Sequence, residues 1–204
     1  ESVAGLHPVK SGELRLLGSR LRDADVSDLE TIRRRIGLVF DGNGRLFPGM
    51  TVWENITLPL RYHRNLQLDE AMEAVTGILK TLEIDSLALH RTEKLSRSSA
   101  RRVALARALA LRPDLLLLDN PLNGLDPAQV RWWRSLLNSF VTGHALFDHR
   151  PLTLIITSDN LRPILPLGGS FALVHEGRWQ VLGNRQQVIA STDSFVQELL
   201  NDEG

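Results

Sequence analysis

The chain has 204 residues, with 24 Lys and Arg against 24 Asp and Glu, a formal net charge of zero and no cysteine. That length suits one domain with a sizeable core, the balanced charge argues against a nucleic-acid or anionic-membrane partner recruited by bulk charge, and the lack of cysteine excludes disulfides and thiolate metal sites. No apolar run approaches the ~20 residues needed to span a bilayer, so any membrane link is expected to go through a partner protein.

Short apolar runs alternate with longer amphipathic ones, which predicts an α/β architecture. Residues 13–17 and 36–40 read as strands, with a short helix over 27–35 between them, capped by Ser27 with Glu30 three residues on. Residues 51–62 and 68–82 read as helices, the second with Asp69 and Glu70 in its first turn. Residues 98–111, rich in Ala, Leu and Arg, form the strongest helical stretch. Residues 115–118 are a fully apolar run bounded by Asp114 and Asp119, the pattern of a strand buried on both faces. Residues 127–140 read as a helix capped by Asp126 with Pro127 in first position. Residues 152–157 read as a second buried strand, 171–175 and 179–182 as a hairpin turned at Glu176-Gly177-Arg178, and 185–190 and 194–200 as two closing helices.

The chemistry concentrates in residues 115–127, LLLLDNPLNGLDP. A buried strand ends in Asp119, at the strand end where open α/β sheets hold ligands. A carboxylate there can hold magnesium through water. Alone, an apolar run followed by Asp is a weak motif. It is preceded by Arg102-Val103-Ala104-Leu105-Ala106-Arg107-Ala108-Leu109 and followed by Asn123-Gly124-Leu125-Asp126-Pro127. This succession resembles the ABC ATPase family: signature helix, Walker B strand, then D-loop. The resemblance extends outward. Val3-Ala4-Gly5-Leu6 and Ser11-Gly12-Glu13 look like the end of the helix after the phosphate-binding loop and the strand beyond it. Ile36-Gly37-Leu38-Val39-Phe40 and Leu46-Phe47-Pro48-Gly49-Met50-Thr51-Val52-Trp53-Glu54-Asn55 look like the Q-loop region and the start of the helical subdomain, and residues 153–159 like the H-loop strand and switch.

The resemblance implies a P-loop NTPase-like core within a single nucleotide-binding domain over 1–204, with a helical subdomain at 48–111. No G-x-x-x-x-G-K-[ST] pattern occurs in the chain. By register, Glu1 falls inside the helix that follows that loop. An N-terminal strand and Walker A loop are therefore expected upstream of the chain shown.

Several motif positions depart from the family. The glutamate that positions and activates water is replaced by Asn120, whose amide can orient a water but cannot accept its proton at neutral pH. The signature Leu-Ser-Gly-Gly-Gln is Leu95-Ser96-Arg97-Ser98-Ser99; Ser98 can offer a hydroxyl, while Arg97 can contact phosphate or obstruct it. The switch histidine falls at Ser158 and the Q-loop glutamine at Asp41, whose carboxylate can bind magnesium but opposes the phosphates. The implied site is thus Asp119, Asn120 and Ser158 for catalysis, Asp41, Ser96, Arg97, Ser98 and Asp126 for nucleotide, and Asp119 and Asp41 for magnesium. The expected ligands are ATP and Mg.

Trp132 and Trp133 point about 100° apart on a helix, so at most one faces the core squarely, and a packed or rim aromatic is the simpler reading. His144 and His149 read as solvated loop residues, and Arg33-Arg34-Arg35 and Arg101-Arg102 as solvated helix faces. Phe47 and Trp53 fall where the family receives a helix of its membrane permease, and ordinary subdomain core is the equal alternative reading. The resemblance implies a permease partner, a homo- or heterodimer of nucleotide-binding domains, no nucleic acid, and a place on the cytoplasmic face of the membrane. Trp53-Glu54-Asn55-Ile56-Thr57-Leu58-Pro59-Leu60 and Phe195-Val196-Gln197-Glu198-Leu199-Leu200 are similar to ATPases of bacterial lipid-trafficking importers. The expectation is a hydrolysis-impaired transporter subunit. The alternatives are an active ATPase completed by a partner, or a regulatory module with no transport role.

Overall fold

The computed structural model describes residues 12–21, 24–42 and 44–201. The stretch Val3-Ala4-Gly5-Leu6 and Ser11, read above as part of the N-terminal resemblance, lies outside them. The chain divides into two compact units, Glu1–Pro121 with Phe140–Ile156, and Leu122–Ser139 with Thr157–Gly204.

The first unit opens with a two-residue-turn hairpin, β1 (Arg15–Leu16) and β2 (Ser19–Arg20), so the strand predicted over 13–17 is shorter and paired at once. Helix α1 (Val26–Arg34) starts earlier than the Ser27 cap predicts. Asp25 is the cap: its Oδ1 accepts from Asp28 N at 2.7 Å, and Asp25 N donates in return to Asp28 Oδ2 at 3.4 Å, a reciprocal pair that sets the helix start there. Strand β3 (Ile36–Val39) runs parallel to β4 (Leu115–Asp119), pairing Ile36 with Leu115 and Val39 with Leu118. Leu16, Leu21, Ile32, Leu115 and Leu117 form a buried cluster against these strands.

The connection from β3 to β4 is helical. Helix α2 (Val52–Arg64) is held at its start by a capping box in which Glu54 N donates to Thr51 Oγ1 and Thr51 N donates to Glu54 Oε2. It stops at Asn65, a residue type that tolerates the left-handed φ of 53° found there. Val52, Ile56 and Leu60, spaced by four, are buried, as are Ala71, Val75, Ile78 and Leu79 of α3 (Leu68–Thr81). Both helices pack on α4 (Arg97–Leu109), which also packs on β3. Covered on more than one side, α4 buries Ala100, Val103, Ala104, Leu105, Ala106 and Leu109 together with Arg101, which is 1% exposed. The reading of Arg101 as part of a solvated face is corrected by that packing; Arg33, Arg34 and Arg35 are exposed as expected.

Strand β5 (Thr153–Thr157) lies beside β4 in the order β3-β4-β5. The sequence reads it as buried, yet its residues alternate between exposed and half-buried and Ile155 is 44% exposed. Among the described residues β5 has one strand neighbour where β4 has two. His144 is also corrected from solvated to half-buried. It accepts a hydrogen bond from Leu146 N at 3.0 Å and meets Phe140 edge-on, and burial lowers its pKa, with His149 adding to the shift. Its neighbour His149 is exposed, as predicted.

The second unit holds most of α5 (Pro127–Thr142), the antiparallel hairpin of β6 (Phe171–His175) and β7 (Arg178–Gly183), and the helices α6 (Arg185–Ile189) and α7 (Ser194–Asn201). Trp133 is fully buried and Trp132 half-buried, as adjacent helical positions require.

Candidate nucleotide site

Leu115, Leu116, Leu117 and Leu118 carry β4 through the core and deliver Asp119 exposed at its C-terminal end. Asn120 follows with a positive φ of 45°, which asparagine adopts more readily than most residues. Pro121 is buried and its carbonyl faces back into the unit. Because β3 and β4 are parallel with Val39 beside Leu118, Asp41 and Asp119 leave the same end of two adjacent strands.

Asp41 does not stand alone there. Its Oδ1 accepts from Gly42 N at 2.5 Å and lies 3.7 Å from Arg101 Nη2. Arg101 Nη1 donates to the Pro121 carbonyl at 3.0 Å. One buried guanidinium therefore ties Asp41, two residues past β3, to the turn after β4. Burial lowers the Arg101 pKa, the charge of Arg97 one turn away lowers it further, and Asp41 opposes both.

At the start of α4, Ser96 is the N-cap. Its Oγ accepts from Ser99 N at 3.1 Å and donates to Ser99 Oγ at 3.0 Å, so that hydroxyl serves the helix end. Arg97 is the first helical residue and is exposed, while Ser98 is half-buried. A cation at that end opposes the helix dipole, and an anion bound there relieves it.

The remaining predicted residues belong to the second unit and act in their own turns. Asp126 caps α5, its Oδ1 accepting from Ala128 N and Gln129 N, both at 2.9 Å. Ser158 Oγ donates to Asn160 O at 2.7 Å and lies 3.2 Å from Asn160 N, which donates to it.

Phe47 is 48% exposed and Trp53 half-buried. What positions Phe47 was not read from the sequence. Asn55, fully buried, accepts from Phe47 N at 2.9 Å and donates through Nδ2 to Phe47 O and Thr51 O, both at 3.1 Å. Thr92 Oγ1 donates to the same Phe47 carbonyl at 2.8 Å. Arg107 of α4 was also missed. It donates to Gly44 O at 2.6 Å and Arg45 O at 3.1 Å, and its charge lies 5.9 Å from the Phe47 ring centroid. The signal for Asn55 is a lone amide between the buried positions Val52 and Ile56. Arg101 and Arg107 carry no such signal, because arginines on a helix most often face solvent.

Among the described residues no group of three or more His, Asp or Glu converges on a metal position. The exposed carboxylate of Asp119 at a strand end suits magnesium held through water, which asks few direct protein ligands.

A protein-family model described as ABC transporter matches residues 1–123. The chain belongs to the ABC transporter family. It is of the ATP-binding-subunit type, with the P-loop NTPase-like α/β fold. It is 28% identical over 201 residues to the intermembrane phospholipid transport system ATP-binding protein MlaF of Haemophilus influenzae, a match covering 98% of this chain and 74% of that relative. It is 30% identical over 209 residues to the sulfate/thiosulfate import ATP-binding protein CysA of Bacillus cereus, covering 98% of this chain but only 54% of that longer protein. Among solved structures, cbiO1 from Clostridium perfringens, part of the ABC transporter complex cbiONQ, superposes with a TM-score of 0.78 at 26% identity, covering 93% of this chain and 72% of that one. A dimeric ATP-binding cassette in a post-hydrolysis state bound to ADP and Pi gives a TM-score of 0.74 at 27% identity, covering 88% and 77%.

Proposed function

We propose that this ABC transporter subunit binds ATP but hydrolyses it poorly, and that it acts as the energising or assembly partner of a membrane permease. The observation that carries this reading is Asn120 in the turn directly after Asp119. Water attack on a γ-phosphate needs a group that orients the water and takes its proton. The Asn120 amide supplies the first and not the second. Ser158 adds no basic group, and its hydroxyl is engaged with Asn160 in its own turn. Magnesium, when bound with ATP, would be held by Asp119 and would neutralise phosphate charge. Arg97, at the positive end of α4, is a cation offered to a phosphate.

The subunit is proposed to work as a homo- or heterodimer on the inner face of the membrane. Residues 48–111 are proposed as a helical subdomain within one nucleotide-binding domain spanning 1–204, with Phe47 and Trp53 turned to the permease. The likeness to MlaF supports a lipid cargo, chosen by the membrane and external subunits. No helix among the described residues is long and apolar enough to cross a membrane, which supports attachment through a partner.

The test is steady-state hydrolysis by the full-length protein with its permease, alongside an ATP-binding titration. ATP should bind, turnover should be low, and Asn120→Glu, which returns a carboxylate, should raise it by up to about 10²-fold. Vigorous turnover by the parent protein, abolished by Asp119→Ala, would overturn the proposal.

A further inference from the structure

The segment after β3 lies along one stripe of α4. Arg101 reaches Asp41, Arg107 reaches the carbonyls of Gly44 and Arg45, and between them Gly44, at a φ of +64°, sits against Ala104 with no space for a side chain. Positions 101, 104 and 107 recur every three residues, so they share one face of the helix. Further back, a Cβ on Gly37 of β3 would come within 2.8 Å of the Ala108 carbonyl, so the strand itself is pressed against the same helix. The loop is thus fastened at both ends and seated in the middle.

We propose that Asp41 is a counter-charge of the buried Arg101, and that it serves this clamp rather than binding magnesium. An arginine that is 1% exposed cannot shed its charge and must be compensated. Asp41 favours the charged guanidinium, whereas burial and the like charge of Arg97 both disfavour it. The guanidinium cannot swing away to free the carboxylate, because its Nη1 is bonded to Pro121 O. A dication brought to Asp41 would sit within a few ångströms of a fixed cation, and their repulsion, screened on the exposed side of the carboxylate, opposes binding there. Of the two strand-end aspartates, metal binding therefore falls to Asp119. This last step rests on the ATP-binding reading above; the clamp does not.

The experiment pairs two readouts on the full-length protein. Thermal unfolding is measured for the parent, Asp41→Asn, Arg101→Gln and the double variant. Asp41→Asn alters only the exposed end of the pair and keeps its shape, whereas Arg101→Gln removes the charge and also the reach to Pro121 O, so the cycle, not the single Arg101 loss, isolates the term shared with Asp41. Each single change should lower Tm by about 3 °C or more, and the double variant should lose clearly less than the two losses added. Strict additivity would overturn the clamp. Nucleotide affinity is then compared with and without magnesium. Asp41→Asn should keep the parent's magnesium-dependent gain within about twofold, whereas Asp119→Asn should lose most of it. A tenfold loss of that gain in Asp41→Asn would make Asp41 a metal ligand and overturn the proposal. If the parent binds no nucleotide, the ATP-binding reading fails by itself, and the Tm comparison still decides the clamp.

Discussion

Asn55 shows how much a single uncharged side chain can organise. Its amide satisfies Phe47 N, Phe47 O and Thr51 O from a fully buried position. Removing it leaves Phe47 N without its acceptor, whereas Phe47 O keeps Thr92 Oγ1 and Met50 N and Thr51 O keeps the backbone N of residue 55, at a cost of about 1–3 kcal/mol. Asn55→Ala should therefore lower unfolding free energy by about that amount in a denaturant titration, while Asn55→Asp, which keeps the acceptor but brings a charge into the core, should fare no better. Asp41 and Arg101 pose the complementary case. Neither residue's type or spacing shows that they meet, because they are far apart in the chain and only the β3–β4 register and the packing of α4 bring them together. Asp119 was legible because a strand of four leucines must end where the charge begins.

At the scale of elements, helix starts were predictable to the extent that their caps are local. Thr51 and Glu54 form a reciprocal pair three residues apart. Backbone and hydroxyl hydrogen bonds from Thr51 hold the Glu54 carboxyl below its ordinary value of 4.5, with Arg91 and Arg61 adding to the effect. A carboxyl with a depressed folded pKa binds fewer protons folded than unfolded. It contributes stability above 4.5 that is lost as pH falls toward the folded value. Glu54→Gln should therefore flatten the acid side of the stability–pH curve in that window and leave its slope near neutrality unchanged, as read by thermal unfolding across a pH series. Helix α1 shows the limit of such reading. Asp25, Ser27 and Asp28 all carry capping side chains, and the geometry of the first turn, not composition, selected Asp25.

At the scale of the whole molecule, the proposed partnership makes a demand that stability does not. Phe47 presents its ring at the surface while its backbone is held by Asn55 and Thr92, so the ring can be removed without disturbing the support beneath. The pair Phe47→Ala and Trp53→Ala should reduce co-purification with the permease severalfold while Tm moves little for the Phe47 change. Equal recovery of the permease by a folded double variant would count against that surface. The neutral net charge adds that the subunit alone should sediment poorly with anionic lipid vesicles, since no bulk attraction assists it.

By itself the sequence determined the α/β alternation, the aspartate at the end of the leucine strand, the Asp126 cap, the hairpin at Glu176-Gly177 and the family. These rest on local periodicity and ordered motifs, which need no knowledge of distant contacts. Only the tertiary structure decided that β5 is half open, that His144 is half-buried, and that Arg101 lies inside and faces Asp41. Burial is a property of what packs around a residue. A helix such as α4, covered by α2, α3 and β3 at once, takes into the core an arginine that its own periodicity would leave in water.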